Sequence, residues 1–397
     1  MKDLKIFEIT SSCTACGACV SVCPKQALAL MGEDKYGFYY PSLYPDKCIE
    51  CHLCEKVCHV LSDAKGPFID RRPFMLKAKD KEILKKSSSG GIFSLLAKNI
   101  MEKGGLVFGA AYDYEKEQLV EISTDKVGIE QLRKSKYIES YCGTIFTEVE
   151  KNLKADREVM FCGTPCQIKG LHYYLLQRKI SLEKLLLVQF LCHGVPSNKF
   201  FTEQKHEMQK KCRAKITDMD FRSKKYGWRT PYYYYYYYYG KGHSKTVRAD
   251  SIFYLSAFFK YYMLRDSCYG CTIFDEGFAD ITIADFWGLF KYAPNNKDNE
   301  GISLAIVHNE KGERAIEKIS DDMEKEELPL TAIEYTQKPN TRVEAMLKQK
   351  REMEKHIEEE GYMPYMERIL AKDVRKGRIK DFIAKILFTT GIWKINK

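Results

Sequence analysis

The most regular patterning lies mid-chain, where short apolar runs alternate with amphipathic segments. Ile92, Leu95, Leu96 and Ile100 recur at helical spacing behind a Ser-Ser-Ser-Gly-Gly turn at 87–91, and Gly104 and Gly105 stop that helix. Apolar runs follow at 106–111, 158–161, 185–191, 279–284 and 302–307, each of a length suited to a buried strand. A helix is expected from Pro165, where the missing N–H costs nothing, through 171, and another after Gly312. This alternation predicts a larger α/β body.

The segments around that body pattern differently. Residues 62–86 are charged, carry Pro67 and Pro73 and show little periodicity, which predicts a linker threading across a surface. Residues 329–397 read as a helical, basic C-terminal region. There Ile379, Phe382, Ile383, Ile386 and Leu387 fall at helical spacing among Arg375, Lys376, Arg378, Lys380 and Lys385. Such a helix can lie on anionic lipid, but the expectation is that its apolar positions pack on the protein itself. The unbroken tyrosine run at 232–239 is expected to be a strand with alternate rings facing core and solvent. Stacking on nucleic-acid bases is the other reading. No flanking nucleic-acid module accompanies the run, so no nucleic-acid partner is expected.

Cysteine, not periodicity, organises residues 1–61. Cys13-x2-Cys16-x2-Cys19-x3-Cys23 is repeated as Cys48-x2-Cys51-x2-Cys54-x3-Cys58. This is the spacing of a module holding two 4Fe-4S clusters, in which the fourth cysteine of each run ligates the other cluster. One cluster would take Cys13, Cys16, Cys19 and Cys58, and the other Cys48, Cys51, Cys54 and Cys23. Ala15, Gly17 and Ala18 are small enough for backbone N–H groups to approach the sulfurs. His59 stands where the second run would usually carry proline. Between the runs, Tyr36-Gly-Phe-Tyr-Tyr-Pro41 reads as an aromatic hairpin shielding the clusters. The fold class is therefore an α+β ferredoxin-like dicluster module (1–61), a linker (62–86), and a larger α/β domain (87–328) ahead of the C-terminal helices.

Composition narrows the context. The 397 residues include fifteen cysteines, and the N-terminus has no apolar signal core. That favours metal ligation in a reducing cytoplasm over a disulfide framework. Structural zinc more often uses paired Cys-x2-Cys units than a three-cysteine run with an x3 tail. No apolar stretch is long enough to span a bilayer. The net charge of +10 is compatible with several anionic partners and selects none.

A second set of cysteines lies downstream. Cys268 and Cys271 form a ligand-type pair, while Cys166 and Cys192 each follow the end of a predicted strand, where loops of α/β folds converge. These four suit either a third 4Fe-4S cluster or a Cys-x2-Cys pair plus two core cysteines. Cys142, Cys162 and Cys212 read as core or incidental. The 87–91 turn before a helix suits either an anion cradle or an ordinary cap.

Taken in order, Ser88-Ser-Gly-Gly-Ile-Phe-Ser94, Ser135-Lys136-Tyr137, Gly163-Thr-Pro-Cys-Gln167, Cys192-His-Gly-Val-Pro196, Ser267-Cys-Tyr-Gly-Cys271 and Asp285-Phe-Trp-Gly288 give the chain a resemblance. Over about residues 10–310 it resembles the coenzyme F-420 hydrogenase/dehydrogenase beta-subunit family, in the bacterial form with an N-terminal dicluster ferredoxin domain. The resemblance implies FAD and a third 4Fe-4S cluster on Cys166, Cys192, Cys268 and Cys271. It makes Ser88, Gly90, Gly91, Ser135, Lys136 and Tyr137 the candidate flavin contacts. Lys136, Tyr137, His193 and Asp285 are candidates for proton delivery or flavin tuning. The resulting expectation is an iron–sulfur flavin oxidoreductase linking a donor such as ferredoxin or a partner reductase to a small organic substrate. An electron-relay subunit with no substrate of its own is the alternative.

Overall fold

The computed structural model describes residues 3–34, 36–62, 64–68, 70–229, 234–336 and 343–390. Its centre is a nine-stranded sheet. Across the sheet, in spatial order, run Met323–Glu327, Arg72–Ala78, Ser303–Val307, Ile281–Asp285, Leu185–Phe190, Val159–Gly163, Leu106–Asp113, Gln118–Ser123 and Ser140–Tyr141. The four strands from Ile281–Asp285 to Leu106–Asp113 are mutually parallel. Their carboxyl ends therefore share one edge.

These strands read as continuous apolar runs because both faces are covered. Leu106, Phe108, Val159, Phe161, Leu185 and Leu187 enter one core, while the alternate Val107, Met160, Leu186 and Val188 enter another. Helix Ile92–Glu102 packs on the second face. Helices Ile145–Lys154 and Pro165–Gln177 pack on the first, and the dicluster module lies against them, with Ala18, Val20 and Val22 in the same core as Phe146, Ile168 and Leu171.

The 62–86 segment departs from its expected role as a surface linker. Arg72–Ala78 is an interior strand, paired with both Ser303–Val307 and Met323–Glu327. Helix Lys81–Lys85 follows it, capped by the Asp80 carboxylate. The apolar run there is only Phe74-Met75-Leu76, too short for periodicity to separate it from a loop.

A second, three-stranded antiparallel sheet carries the tyrosines, with Tyr234–Tyr239 between Ile216–Ser223 and His243–Arg248. Residues 232 and 233 of the run lie outside the described residues. Tyr235 and Tyr237 are buried with Phe201 and Phe221, while Tyr236 and Tyr238 face the other way. The aromatic segment near residue 36 is the turn region of a hairpin, Leu28–Glu33 and Tyr39–Leu43. It docks the module onto the body: the Tyr36 carbonyl accepts from Ser197 Oγ and from the Tyr362 hydroxyl at 2.7 Å. Helices Val343–Glu360 and Tyr362–Thr389 are the last two elements among the described residues. Among the described residues, no helix is long and apolar enough to cross a membrane.

Candidate metal and cofactor site

The two N-terminal cysteine runs interleave in space. A small cavity is lined by Cys23 of the first run together with Cys48, Cys51 and Cys54 of the second, closed by Leu4, Leu28 and Leu43. Cys13, Cys16, Cys19 and Cys58 form the other group: each of the first three lies within electrostatic reach of Cys58 or is reached by it. Both groupings combine three cysteines of one run with the last of the other.

The thiols fit iron–sulfur ligation on two grounds. Burial raises the pKa of Cys13, Cys16, Cys19 and Cys58 and pushes Cys54 up to about 11, with neighbouring thiols adding to the effect at Cys16 and Cys19. Such crowding of buried sulfur suits thiolates whose charge is met by metal. Backbone N–H groups also turn toward the sulfurs, from Ala15 to Cys13, Ala18 to Cys16, and Ala27 to Cys23 at 3.2 Å. These are the donors that tune a cluster. His59 is buried and its pKa is lowered to about 3 by burial, so the ring is neutral; its Nε2 lies 2.9 Å from Thr14 Oγ1 and ties the second run to the first.

The third set assembles at the carboxyl edge of the parallel strands. Cys166 opens helix Pro165–Gln177 directly after the Val159–Gly163 strand, and Cys192 follows Leu185–Phe190. Cys268 and Cys271 come from the loop before Ile281–Asp285. All four are in mutual electrostatic reach through the pairs Cys166–Cys271, Cys192–Cys166 and Cys268–Cys192. Desolvation raises their pKa values, to about 11 for Cys166 and about 12 for Cys192. Cys268 Sγ accepts from the Val195 N–H at 3.4 Å, and Cys166 Sγ is 3.1 Å from Thr164 Oγ1. Among the described residues, no His, Cys, Asp or Glu group converges tightly enough to chelate a single ion.

Three cysteine groups thus lie in sequence through the molecule. Cys54 of one N-terminal group reaches Cys19 of the other, and Cys16 reaches Cys166. One helix makes the second junction. Cys166 and Gly170 sit four residues apart on one face of Pro165–Gln177, and a Cβ at Gly170 would lie 2.7 Å from Cys16 Sγ. Arg265 locks the same junction. Buried beneath the Cys268 loop, it pairs with Glu139 at 2.6 Å and donates to the Cys13 carbonyl at 2.9 Å and the Tyr39 carbonyl at 2.5 Å. Desolvation opposes its charge, but Glu139, Cys13 and Tyr40 outweigh that and raise its pKa.

A cleft of about 1610 Å³ opens along the second sheet, and its wall residue Lys136 is within electrostatic reach of Glu121, which bonds Gln167 next to Cys166. The cleft exceeds the roughly 300–1,000 Å³ of ordinary small-ligand pockets. Its walls include Lys81, Lys134, Lys136, Lys224, Tyr236 and Tyr238, and cations outnumber carboxylates. Lys136 and Lys224 are both lowered to about 8 by burial; their ammonium groups donate to backbone carbonyls, Lys136 to Arg133 and Lys224 to Leu84 and Ser89. Half-buried cations on neutral acceptors suit an anionic ligand such as a phosphate-bearing cofactor.

The expected flavin contacts divide. Ser135 and Lys136 line the cleft, and Ser88 stands one bond behind, its Oγ accepting from the Ser135 N–H at 2.9 Å. Gly90 and Gly91 pack elsewhere. The Gly90 N–H donates to Ser303 Oγ at 2.9 Å and the residue lies hard against the Leu76 carbonyl, while Gly91, at φ 87°, starts the Ile92–Glu102 helix. Tyr137 is half-buried and packs against the core, its ring stacked on Phe258 with centroids 5.0 Å apart. Asp285 holds Trp228 Nε1 at 3.1 Å and Arg222 at 3.0 Å, and the His193 residue is exposed, although desolvation lowers the pKa of its ring. None of these last five lines the cleft. Residues missed in the sequence include Lys224, Tyr236, Tyr238 and Glu121. Glu121 bonds Ser140 Oγ at 2.7 Å and Gln167 Nε2 at 3.3 Å, and its Oε2 has no hydrogen-bond partner among the described residues. Burial pushes it up to about 7, and Lys136 is within its electrostatic reach. Period-two alternation could have placed Tyr236 and Tyr238 on one face; the others carried no local signal.

Comparison with known proteins finds matches for both parts of the chain. Residues 12–61 match the 4Fe-4S dicluster domain, and residues 156–332 match the family described as the C-terminal part of the coenzyme F420 hydrogenase/dehydrogenase beta subunit. An F(420)H(2) dehydrogenase subunit from Methanosarcina mazei is 25% identical over 351 residues, covering 84% of this chain and 90% of that protein. A chain of the F420-reducing NiFe hydrogenase complex from Methanosarcina barkeri superposes with a TM-score of 0.45 at 19% identity, covering 74% of this chain and 94% of that one. The chain therefore carries a 4Fe-4S dicluster domain at residues 12–61, joined to a body whose residues 156–332 match the C-terminal part of the coenzyme F420 hydrogenase/dehydrogenase beta subunit.

Proposed function

We propose that this chain is an iron–sulfur flavoprotein oxidoreductase that accepts electrons from a donor protein of ferredoxin type and delivers them to a small organic substrate in the cleft. When bound, 4Fe-4S clusters supply one-electron carriers and FAD supplies a two-electron carrier. The observation that carries the proposal is the continuity from the module, through Cys16, to Cys166, whose helix neighbour Gln167 bonds Glu121, itself within electrostatic reach of the cleft-lining Lys136.

The chain's residues take distinct parts. Cys48, Cys51, Cys54 and Cys23 would hold the outermost cluster, and the exposure of Cys51 makes this the donor-facing end. Cys13, Cys16, Cys19 and Cys58 would hold the second cluster, and Cys166, Cys192, Cys268 and Cys271 a third. Lys136 and Lys224 would meet the cofactor's phosphates, while Tyr236 and Tyr238 offer ring faces. A two-electron reduction also consumes protons. Glu121 Oε2 and Lys136 Nζ, both titrating near neutrality, can hold one behind the cleft wall.

Anaerobic purification followed by iron, sulfide and flavin analysis tests this reading. About twelve irons per chain, four for each of three clusters, and one FAD are expected. Absence of flavin after anaerobic reconstitution would reject it. A relay subunit with no substrate of its own is the second reading, favoured by the similarity to a protein named as a dehydrogenase subunit. Recovery only as a stable complex, with the lone chain inactive toward free deazaflavin and other small acceptors, would decide for it.

A further inference from the structure

The helix Tyr362–Thr389 has two faces. Leu370, Val374, Gly377, Asp381 and Ala384 are buried against the body, and Gly377 sits directly on the Asp250 carbonyl. The apolar row named from the sequence lies on the opposite edge. Ile379, Phe382, Ile383 and Ile386, at the i, i+3, i+4, i+7 positions of one face, are 51%, 67%, 49% and 45% exposed. The expectation that this row packs on the protein itself is therefore reversed for these four, while Leu387, the fifth of the row, is half-buried. Between Gly377 and Ala384 the inner face is made by small and polar residues, Gly377, Asp381 and Ala384, while the large apolar side chains of that stretch point outward.

Charge indicates what covers them. Arg378 and Lys380 flank the row on either side of the helix, and Arg375 and Lys376 are exposed one turn before it. After Asp373 the sequence holds a single carboxylate, Asp381, which is buried and bonded to Lys385 at 2.6 Å. The outer face thus carries apolar and cationic groups with no acid among them. Long cationic stems beside an apolar edge let the charges rise to headgroups while the edge sinks to the acyl boundary. A protein partner fits less well, since a standard interface engages about 20–30 residues a side and this is a single narrow edge.

We propose that this helix docks the protein on an anionic bilayer surface, with Ile379, Phe382, Ile383 and Ile386 entering the lipid and the flanking Arg and Lys residues facing the headgroups. The holoprotein is to be sedimented with vesicles of phosphatidylcholine containing phosphatidylglycerol, and with phosphatidylcholine alone. Binding to the anionic vesicles, weakened by salt, is expected. The Phe382→Ser/Ile386→Ser variant should bind at least tenfold less at unchanged iron content, and Arg378→Gln/Lys380→Gln should lose the preference for anionic lipid. Failure of the wild-type protein to sediment at low salt would overturn the proposal, as would binding indifferent to the serine pair. A dimer in light scattering that the serine pair dissolves, without vesicle binding, would overturn it in favour of a second copy. Loss of a co-purifying protein in the same variant, again without vesicle binding, would overturn it in favour of a protein partner.

Discussion

Replacing Gly170 by alanine tests the junction between the dicluster module and the body through the sign of one effect. Gly170 lies inside helix Pro165–Gln177, where Gly→Ala ordinarily stabilises by about 1 kcal/mol. Here the added Cβ would lie 2.7 Å from Cys16 Sγ and 2.9 Å from Cys16 Cβ. The second distance is independent of how the thiol rotates, so the strain can be relieved only by moving backbone. Overpacking of a closed interior typically costs about 1–3 kcal/mol, enough to exceed the propensity gain and leave a net loss of about 1 kcal/mol. Because the displaced residue is a proposed ligand, the loss should appear first at the cluster it serves. The assay is the half-life of visible cluster absorbance on anaerobic heating, with iron content measured before the run. A rate is preferred because cofactor-bearing proteins seldom unfold in two states. The variant should bleach faster and carry less iron. A G170A protein with full iron and an equal or longer half-life would refute the close approach of the two elements.

Further predictions follow from the same interior. Arg265→Met strands the buried Glu139 carboxylate and should cost about 3–5 kcal/mol, read as faster amide hydrogen exchange over residues 10–22. Adding Glu139→Leu should restore part of the protection, and no difference between single and double variants would contradict the pairing. Glu121 keeps its proton in the fold up to about 7 rather than 4.5, so stability falls as pH rises through that window and the penalty is complete above it, about 3 kcal/mol at most. Glu121→Gln should flatten the stability profile there and melt higher than wild type at pH 8; parallel profiles would show that the carboxyl is solvated. Lys224→Met leaves the cleft walls intact but removes a cation, and should weaken flavin retention about tenfold with iron content unchanged. Retention equal to wild type in equilibrium dialysis would remove Lys224 from the cofactor's surroundings.

Much of the chemistry was legible because thiolate spacing is a local property. Three cysteines two residues apart and a fourth at x3 constrain a turn whatever surrounds it, and the interleaving of Cys23 and Cys58 is implicit in the doubled run. The parallel strands were legible too, since burial on both faces makes each an unbroken apolar run. Legibility failed where a residue's role depends on partners distant in sequence. Arg72–Ala78 reads as a linker until Ser303–Val307 and Met323–Glu327 flank it. Tyr137 belongs to a promising motif, yet Phe258 claims its ring for the core.

The sequence by itself determined that this protein handles electrons through thiolate-bound iron, because ligand type and spacing are written along the chain. Only the tertiary structure decided that three cysteine groups stand in line, that lysines and tyrosines from distant segments line one cleft, and which face of the last helix meets the outside. Those outcomes rest on close packing between elements far apart in sequence, such as Gly170 on Cys16 and Gly377 on Asp250. Helical periodicity marks an apolar row, but it does not say whether protein or another phase will cover it.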